Sequence, residues 1–598
     1  MQRSTEILLW SVLQRSPSPN MSVMLMLVTG GIAICKIQKD CLHIRSVQTP
    51  LITQKSSKNH QHTDLLLQYI TVSEFQKGRK MFHTKLASKS FINRAEYRDK
   101  ILGCWTGKNI GGTLGAPFEG KQETHDLTFY AQELNGNPAP NDDLDLQLAW
   151  LLAVEEHGLY NVNELVLGEY WLDVVCGPWG EYGIAKFNMR NGLTPPLSGL
   201  CNNEKWKDSN GAWIRSEIWA CLFPGDPEEV VHYAWYDACV DHTGEGIYAE
   251  MFTAAMESVA FIEKDIRKII SCALCRIPEN CRVARSVKLV IDCYDKGEDW
   301  LTAREKVVQL NADMGWFQAP GNVAFVIIGL LYGEGDFGKS ICTAVNCGDD
   351  TDCTGATCGA ILGIINGRSG IPQEWIEPIG ESIQTVAINR YGNNIPETLE
   401  ELTDRVMICK NIADTVNPAT MRVHDGATFI DETLREKLHD RFDTENFVLN
   451  RPSNQLRCDL PFGRVYVQYE QSPVVAPDSQ VKLKFIFSSA RSNCCTLNVK
   501  WHLPETWSFE GSQSHKLMTY PGISKHIELT LNVGKFTDVF EYIPVELRLA
   551  ERNYPVYITV PFQSSAMSDA NTGTPWQDMW TTQNRIAARI NDFSNTLG

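Results

Sequence analysis

Glycine recurs at every fourth residue in two separated segments of the chain. A glycine inside a helix costs about 1 kcal/mol relative to alanine, so a helix keeps four of them only for a reason. Residues four apart lie on one helix face, and a face of glycines lets another backbone approach closely. The pattern predicts two helices packed against each other or against a ligand, and packing without any function explains it equally well. The positions are Gly103, Gly107, Gly111 and Gly115, then Gly355, Gly359, Gly363 and Gly367.

The period of the apolar residues divides the chain into segments. No sustained period is visible before Arg94, and apolar residues at helical spacing then follow as far as about Cys409. From Gly463 the period is two, as in Val481, Leu483 and Phe485. We therefore predict a mainly α protein, an all-helical domain with a C-terminal all-β sandwich domain. The predicted segments are a poorly ordered extension (1–92), the helical domain (93–410), a linker (411–460), the β-sandwich (461–563) and a tail (564–598).

Composition and charge narrow the class of protein. The 55 basic and 72 acidic residues give a formal charge of −17, which argues against nucleic acid as a partner and favours a protein or a small molecule. The 19 cysteines are too dilute for a disulfide scaffold, so we expect a cytoplasmic protein with reduced thiols. The apolar run 22–35 is shorter than the roughly 20 residues of a membrane span. It could instead be the apolar region of a signal peptide, which would make the protein secreted.

The densest acidic cluster lies in residues 346–355, where Asp350 and Asp352 can direct oxygens at one hard cation. It is not an EF-hand loop, because Ile361 stands where that loop requires a bidentate glutamate. A zinc site is disfavoured because no fourth ligand is evident beside the nearby thiols of Cys347, Cys353 and Cys358.

A second acidic group, Asp142, Asp143 and Asp145, comes directly before a long apolar run. Carboxylates at a helix N-terminus stabilise the helix, so capping explains any one of them. Capping does not require three aspartates. Two acidic clusters that each open a helix can hold two divalent cations about 3.5–4 Å apart, the spacing that activates water in two-metal enzymes.

The block 94–409, a little over half the chain, resembles the ADP-ribosylglycohydrolase superfamily, which includes the dinitrogenase-reductase-activating glycohydrolases and the ADP-ribosyl-acceptor hydrolases. Its motifs occur in order, which is more specific than any one alone. The matching segments are the opening GC-x-x-G…G-A-P-x-E (103–119), Asn141-Asp142-Asp143 in place of Thr-Asp-Asp, Asn210-Gly211-Ala212 with Arg215, Asp241-His242, and the segment 348–367, which resembles G-G-D-T-D-T-x-G-A-x-x-G-A.

The resemblance implies a metal site with two Mg²⁺ ions, for which Mn²⁺ can substitute. Two ligands depart from the family pattern, since Asn141 and Cys353 each stand in place of threonine. An asparagine carbonyl can still bind a hard cation, whereas a thiol is a poor ligand for Mg²⁺. The family's Gly-Asp pair in the opening loop is here Gly111-Gly112, so we expect that contact to be absent. The implied metal ligands are Asn141, Asp142, Asp143, Asp350, Asp352 and Cys353.

The resemblance also implies catalytic roles for Glu119, Asp143 and Asp350. Glu119 is the candidate general base, with a loop or supporting role as the alternative. Asn210 and Gly211 are candidate substrate contacts. His242 is a further substrate candidate and equally a structural histidine, whereas Arg215 is more readily a buried ion-pair partner.

These observations predict a metal-dependent hydrolase that cleaves the glycosidic bond between ADP-ribose, or a related ribosyl group, and an N- or O-linked acceptor. Its partner is an ADP-ribosylated protein or small molecule. The alternative is a catalytically weak ADP-ribose or nucleotide-binding protein that keeps the fold. A purely structural protein is the least favoured reading, because the four aspartates are retained.

Overall fold

The computed structural model describes residues 90–417 and 421–566, and the backbone of residues 21–28 and 31–38. The chain divides into two compact units, Met1–His83 and Thr84–Gly598. In the first, strands β1 (Met21–Val28) and β2 (Gly31–Gln38) pair antiparallel, with Met21 opposite Gln38. The other residues before 90 and those after 566 lie outside the described part, so the predicted disorder of most of 1–92 and the predicted tail beyond 566 stay predictions.

The second unit begins with a long helical region. Helices Arg94–Gly115 and Asp142–His157 begin at the asparagine caps Asn93 and Asn141, and a glycine follows helices Asp142–His157 and Thr351–Asn366. The helices are α1 (Arg94–Gly115), α2 (Asp142–His157), α3 (Glu164–Asp173), α4 (Gly180–Arg190), α5 (Leu197–Leu200), α6 (Glu217–Leu222), α7 (Pro227–Ala238), α8 (Glu245–Ala260), α9 (Ile266–Leu274), α10 (Arg282–Asp295), α11 (Trp300–Leu310), α12 (Ala319–Tyr332), α13 (Phe337–Asn346), α14 (Thr351–Asn366), α15 (Gln373–Ile376), α16 (Leu399–Val416), α17 (Glu432–Lys437) and α18 (Thr444–Leu449).

The glycine faces of α1 and α14 pack against each other. Of the two partners that the sequence left open, another helix or a ligand, it is therefore the helix that each glycine face contacts. A Cβ at Gly107 would lie 2.0 Å from the carbonyl oxygen of Gly359, and one at Gly111 would lie 1.9 Å from that of Gly355. The helices run antiparallel, so Gly115 at the end of α1 reaches Thr351 at the start of α14. This contact brings the loop after α1 beside the acidic segment that opens α14.

The predicted linker packs on the helical region. Strand β4 (Arg422–His424) pairs parallel with β3 (Phe91–Asn93), which directly precedes α1. Leu434, Leu438 and Phe447 are buried in the same hydrophobic cluster as the long helices. Among the described residues, no helix is long and apolar enough to cross a membrane.

The C-terminal region consists of strands, as the period-two pattern predicts. They form two five-stranded sheets, in the orders β10-β12-β8-β6-β5 and β11-β9-β13-β14-β7, and inward side chains from both sheets share one hydrophobic cluster. The predicted fold class, a helical domain followed by an all-β region, is confirmed. The strands are β5 (Gln455–Leu460), β6 (Gly463–Tyr469), β7 (Val474–Val475), β8 (Gln480–Ser489), β9 (Cys495–Trp501), β10 (Ser508–Phe509), β11 (Ser514–Thr519), β12 (Ser524–Asn532), β13 (Phe540–Leu549) and β14 (Val556–Ser564).

The helical and β regions share buried contacts. Leu193, Leu197 and Cys201 of the helical region belong to the hydrophobic cluster of the β region. Arg457 of β5 forms a buried ion pair with Glu164 of α3 at 2.5 Å. The β region therefore covers part of the helical domain.

Candidate metal and substrate site

The loop after α1 and the loop before α14 are fastened together by their backbones. The amide of Gly120 donates to the carbonyl of Asp349 at 2.8 Å, and the amide of Asp349 donates to the carbonyl of Lys121 at 2.8 Å. Gly348 has a φ of +78°, and a Cβ there would lie 2.4 Å from the carbonyl oxygen of Glu123, so only glycine fits. These contacts fix Glu119 beside the acidic end of α14.

Asp349 supports this loop with its side chain. It has a φ of +71°, a conformation that costs free energy for a residue with a Cβ. Its carboxylate accepts hydrogen bonds from Asn322 Nδ2 at 2.7 Å and from the amide of Phe317. The side-chain oxygen of Asn322 accepts from the amide of Asp350 at 3.3 Å. Asp349 therefore holds the loop, and Asp350 and Asp352 remain for other contacts.

Two groups of candidate ligand atoms lie within the site, each with its atoms within 4.8 Å of one another. One group is Glu119, Asp350 and Asp352, and the other is Asp143, Asp352 and Cys353. Asp352 belongs to both. The arrangement therefore suits two neighbouring cations with Asp352 between them.

Asn141, and not the aspartates after it, caps helix α2. Its Oδ1 accepts from the amide of Asp143 at 2.8 Å, and its Nδ2 lies 3.4 Å from Asp352 Oδ2. Asp145 is occupied elsewhere, since its carboxylate accepts from two backbone amides in residues 386–387 at 2.6 Å. Asp142 accepts a hydrogen bond from the Tyr182 hydroxyl at 2.9 Å. Capping thus accounts for Asn141, while Asp142 and Asp143 are available to the site.

A buried lysine lies behind Asp143. Lys108 Nζ is 3.5 Å from Asp143 Oδ2 and 2.7 Å from Glu217 Oε1, and it also donates to the carbonyl of Ile214. Burial opposes the charge of Lys108, but the charges of Glu217 and Asp143 outweigh burial and raise its pKa. Lys108 thus pairs with both Glu217 and Asp143, and its charge lowers the pKa of Asp143 against the larger effect of burial.

The described residues around the acidic side chains supply too little positive charge to compensate the negative charge of these side chains. Burial raises the pKa of Asp142, Asp143, Asp350 and Asp352 above the ordinary range. The charge of Asp352 raises the pKa of Glu119 to about 7, and partial burial of its carboxyl group adds to the shift. Among the described residues, the buried Asp352 Oδ1 has no hydrogen-bond partner, and Asp143 Oδ2 has only the 3.5 Å ion pair with Lys108. Hard-donor chemistry, excess charge and the unpartnered oxygen of Asp352 together fit divalent cations.

Asn210 and Gly211 lie at the edge of this cluster. Asn210 Nδ2 donates to Asp350 Oδ2 at 2.7 Å, and its Oδ1 accepts from Trp213 Nε1 at 3.1 Å. A Cβ at Gly211 would lie 2.2 Å from Glu181 Oε1, so glycine permits that close approach. The structure therefore places Asn210 where it positions Asp350.

His242 is fully buried and lies within a hydrogen-bonded row. Its Nδ1 is 2.8 Å from Asp241 Oδ1, and its Nε2 is 3.1 Å from Ser209 Oγ. The order serine, histidine, aspartate is that of a hydrolytic triad, but all three side chains are buried. These contacts favour the structural interpretation of His242, which supports the segment that carries Asn210.

Arg215 is the centre of a buried ionic network. It forms ion pairs with Asp237 at 2.8 Å and Asp241 at 2.7 Å, and its side chain is fully buried. The guanidinium group also lies over the ring of Trp171. This is the ion-pair role that the sequence favoured for Arg215.

We expect Arg215→Met to lower the free energy of unfolding by about 3–5 kcal/mol, because it leaves two buried carboxylates without their cation. Arg267→Met is the matched control, since the exposed pair of Arg267 with Asp295 should contribute less than about 1 kcal/mol. Denaturant unfolding of both variants measures the difference. A loss for Arg215→Met as small as that of the control would contradict the structural role.

The structure bears on the EF-hand and zinc alternatives for residues 346–355. Residues 351–366 form a helix, so the stretch is not an EF-hand loop. Of the three nearby thiols, Cys347 and Cys358 are buried outside the candidate ligand groups of the described residues, whereas Cys353 belongs to one of them.

Sequence reasoning missed several residues that support the site, namely Lys108, Glu217, Tyr182 and Asn322. A charged residue within an apolar helical segment is seldom buried without a partner, so Lys108 in α1 and Glu217 in α6 could have been recognised as a buried pair. Nothing comparable marks Tyr182 or Asn322, whose hydrogen bonds depend on the tertiary fold.

Comparison with known proteins gives a family and two structural likenesses. Residues 93–413 match the family model described as ADP-ribosylglycohydrolase. A solved structure described as an "ADP-ribosylglycohydrolase-related protein complex" is 18% identical and covers 53% of this chain and 99% of its own, with a TM-score of 0.37. A FixG-related protein from Vibrio parahaemolyticus is 13% identical and covers 18% of this chain and 99% of its own, with a TM-score of 0.15. No curated protein matches the chain.

The family match extends over more than half of the chain and includes both helices of the glycine contact, the loop of Glu119 and the two acidic segments. It agrees with the resemblance seen in the ordered motifs. The chain belongs to the ADP-ribosylglycohydrolase family, whose members are glycohydrolases.

Proposed function

We propose that this protein is a metal-dependent hydrolase that cleaves the glycosidic bond between ADP-ribose, or a related ribosyl group, and an N- or O-linked acceptor. The observation that carries the proposal is the pair of ligand groups that share Asp352, at the place where the two acidic segments meet. The family supports glycosidic chemistry, and the excess of buried carboxylates supports cations at this place.

Two divalent cations, Mg²⁺ with Mn²⁺ as a substitute, would be held by Asp142, Asp143, Asp350, Asp352 and Cys353, with Asn141 beside them and the carboxylate of Glu119 left free as the base. When bound, such ions supply Lewis acidity that lowers the pKa of water and grips ribose hydroxyls. The carboxylates of Asp143, Asp350 and Asp352 hold negative charge near the sugar, where an oxocarbenium-like transition state develops positive charge.

Glu119 is the proposed general base. It lies on an exposed loop, and its carboxylate oxygen is within 4.8 Å of ligand atoms of Asp350 and Asp352. Backbone hydrogen bonds between Asp349 and the residues that follow Glu119 fix its loop, so the backbone that carries this side chain is in place before substrate arrives. Asn210 keeps Asp350 in one rotamer through its hydrogen bond. Gly211 remains a proposed substrate contact, whereas the buried His242 is proposed to act only indirectly, by supporting Ser209 beside Asn210.

The proposed substrate is an ADP-ribosylated protein or small molecule. The described cysteines are free and mostly buried, which fits a reducing compartment such as the cytoplasm. A screen of release of ADP-ribose from arginine-, serine- and asparagine-linked conjugates would identify the acceptor.

The first test is a calorimetric titration of ADP-ribose into the full chain with Mg²⁺ present, repeated after chelation. We expect binding that is lost on chelation, because the ribose hydroxyls would be held through the cations. Binding that is indifferent to chelation would contradict the metal site, and no binding in either condition would contradict the ADP-ribose assignment.

We further expect Asp350→Ala and Asp142→Ala each to lower turnover by at least about 100-fold, the scale on which removal of one electrostatic contact acts. Circular dichroism should show an unchanged fold, because each variant removes a buried carboxylate that the charge of Asp352 repels. Retained turnover in both variants would contradict the assignment of these carboxylates to the site.

A second candidate is an ADP-ribose or nucleotide binder with weak catalysis. It is favoured by one observation, that the two departures from the family pattern, Asn141 and Cys353, both contact carboxylates of the site at 3.4 Å. The double variant Asn141→Thr with Cys353→Thr distinguishes the two candidates. A large gain in turnover would indicate a degraded site, whereas no gain would indicate that the native residues suffice.

A further inference from the structure

The two candidate ion positions differ in their donor atoms. The group of Glu119, Asp350 and Asp352 offers oxygen only, whereas the group of Asp143, Asp352 and Cys353 offers two oxygens and one sulfur. Oxygen donors suit Mg²⁺ and Mn²⁺, and thiolate favours softer divalent ions such as Zn²⁺ and Co²⁺. The difference follows from Cys353 alone.

The two positions also differ in access to water. Glu119 is exposed, whereas Asp143 and Cys353 are buried, with 0% and 5% of their surface exposed. Mg²⁺ gives up its hydration water reluctantly and usually keeps several waters when bound. The Glu119 side can supply them, and the Cys353 side suits an ion that needs one water beside three protein ligands, as Zn²⁺ does in sites of that kind.

The distance between sulfur and oxygen fits a common ion. Bonds of about 2.3 Å to sulfur and about 2.1 Å to oxygen put the two donor atoms about 3.1–3.6 Å apart for angles of about 90–110°. Cys353 Sγ lies 3.4 Å from Asp143 Oδ1. Asp352 Oδ1 belongs to a side chain more than nine-tenths buried and has no hydrogen-bond partner among the described residues.

A hydrogen bond from the thiol to Asp143 is the competing explanation for the same distance. A thiol is a weak donor, and it would compensate a fully buried carboxylate less well than the hydroxyl of a threonine. A cysteine sulfur binds a softer metal ion more strongly than a threonine hydroxyl does. The unpartnered oxygen of Asp352 beside it favours the ion.

We propose that the two positions take different metals, with a softer divalent transition-metal ion such as Zn²⁺ or Co²⁺ bound by Asp143, Asp352 and Cys353, and Mg²⁺ bound on the side of Glu119 and Asp350. The inference rests on the proposed function, because it assigns the metals of that same site. It makes Cys353 a ligand that determines which metal the protein selects.

Cobalt tests the proposal without any activity measurement. The full chain is stripped with a chelator and titrated with Co²⁺ alone, and the near-ultraviolet absorption is recorded. We expect a sulfur-to-cobalt charge-transfer band that saturates at one ion per chain. Cys353→Ser should abolish the band, since a hydroxyl cannot give it. The matched control is Cys358→Ser, which removes a buried thiol from the same helix but outside the ligand group and should keep the band.

Metal content gives a second measurement. After dialysis against equal concentrations of Mg²⁺ and Zn²⁺, elemental analysis should find one zinc per chain in the parent protein, and Cys353→Ser should lower the ratio of zinc to magnesium by at least 10-fold. Absence of the charge-transfer band, or a band of equal intensity in Cys353→Ser, overturns the proposal. Magnesium-dependent ADP-ribose binding without that band overturns only the metal assignment, whereas the band without ADP-ribose binding contradicts only the proposed function.

Discussion

Replacing one glycine of the helix contact by alanine is expected to unfold or strongly destabilise the protein. In Gly359→Ala the new Cβ would lie 2.1 Å from the carbonyl oxygen of Gly107, a backbone atom that cannot move without its helix. Overpacking in a core costs about 1–3 kcal/mol and occasionally more, and this collision involves backbone on both sides, so we expect a loss of at least about 3 kcal/mol. The higher helix propensity of alanine, worth about 1 kcal/mol, does not offset it.

Gly321→Ala is the matched control, because Gly321 also lies in a helix, α12, and has no atom within 4 Å of its would-be Cβ. Its stability should be unchanged or higher by up to about 1 kcal/mol. Thermal and denaturant unfolding of both variants measure the contrast. If Gly359→Ala is as stable as the parent, α1 and α14 are not in backbone contact.

The glycine spacing illustrates how much of the fold the sequence contains. The four-residue spacing of glycine is a feature of the local sequence, and few structures explain it. A helix face that another group approaches closely could therefore be predicted from each segment. The change of the apolar period near Gly463 is equally local, and it predicted the β region. Registers such as Gly107 opposite Gly359 depend on the whole contact and could not be read from either segment alone.

The same distinction between local and tertiary features applies to the candidate site. Asp142, Asp143, Asp350 and Asp352 stand out because acidic residues accumulate at two helix starts. The roles of the neighbouring residues depend on the tertiary fold and cannot be predicted from the local sequence. Asp349 stands in the same acidic run as Asp350 and Asp352, but its positive φ and the hydrogen bonds it accepts from Asn322 and Phe317 make it a support of the loop. Asp145 likewise holds a distant backbone segment, residues 386–387.

Asp352 is the residue whose loss should affect the site most, because it belongs to both groups of ligand atoms. We expect Asp352→Asn to lower turnover by about 10³-fold or more, equivalent to about 4 kcal/mol of transition-state stabilisation. The number of divalent ions bound per chain should fall from two to fewer than one. Asp350→Asn removes a ligand from one group alone and should leave one ion bound. Calorimetry and elemental analysis count the ions independently of turnover.

Asp336→Asn provides the same carboxylate-to-amide change outside the site. Asp336 is exposed and caps α13 through a 2.7 Å hydrogen bond from the amide of Lys339, and asparagine caps a helix equally well. This variant should keep both ions and full turnover. Since Asp352 Oδ1 lacks a hydrogen bond among the described residues, the amide of Asp352→Asn removes charge without breaking that oxygen's contacts, and the fold should persist. If Asp352→Asn still binds two ions, the ions do not share this carboxylate. That result would contradict the proposal that the two ligand groups form one two-metal site around Asp352.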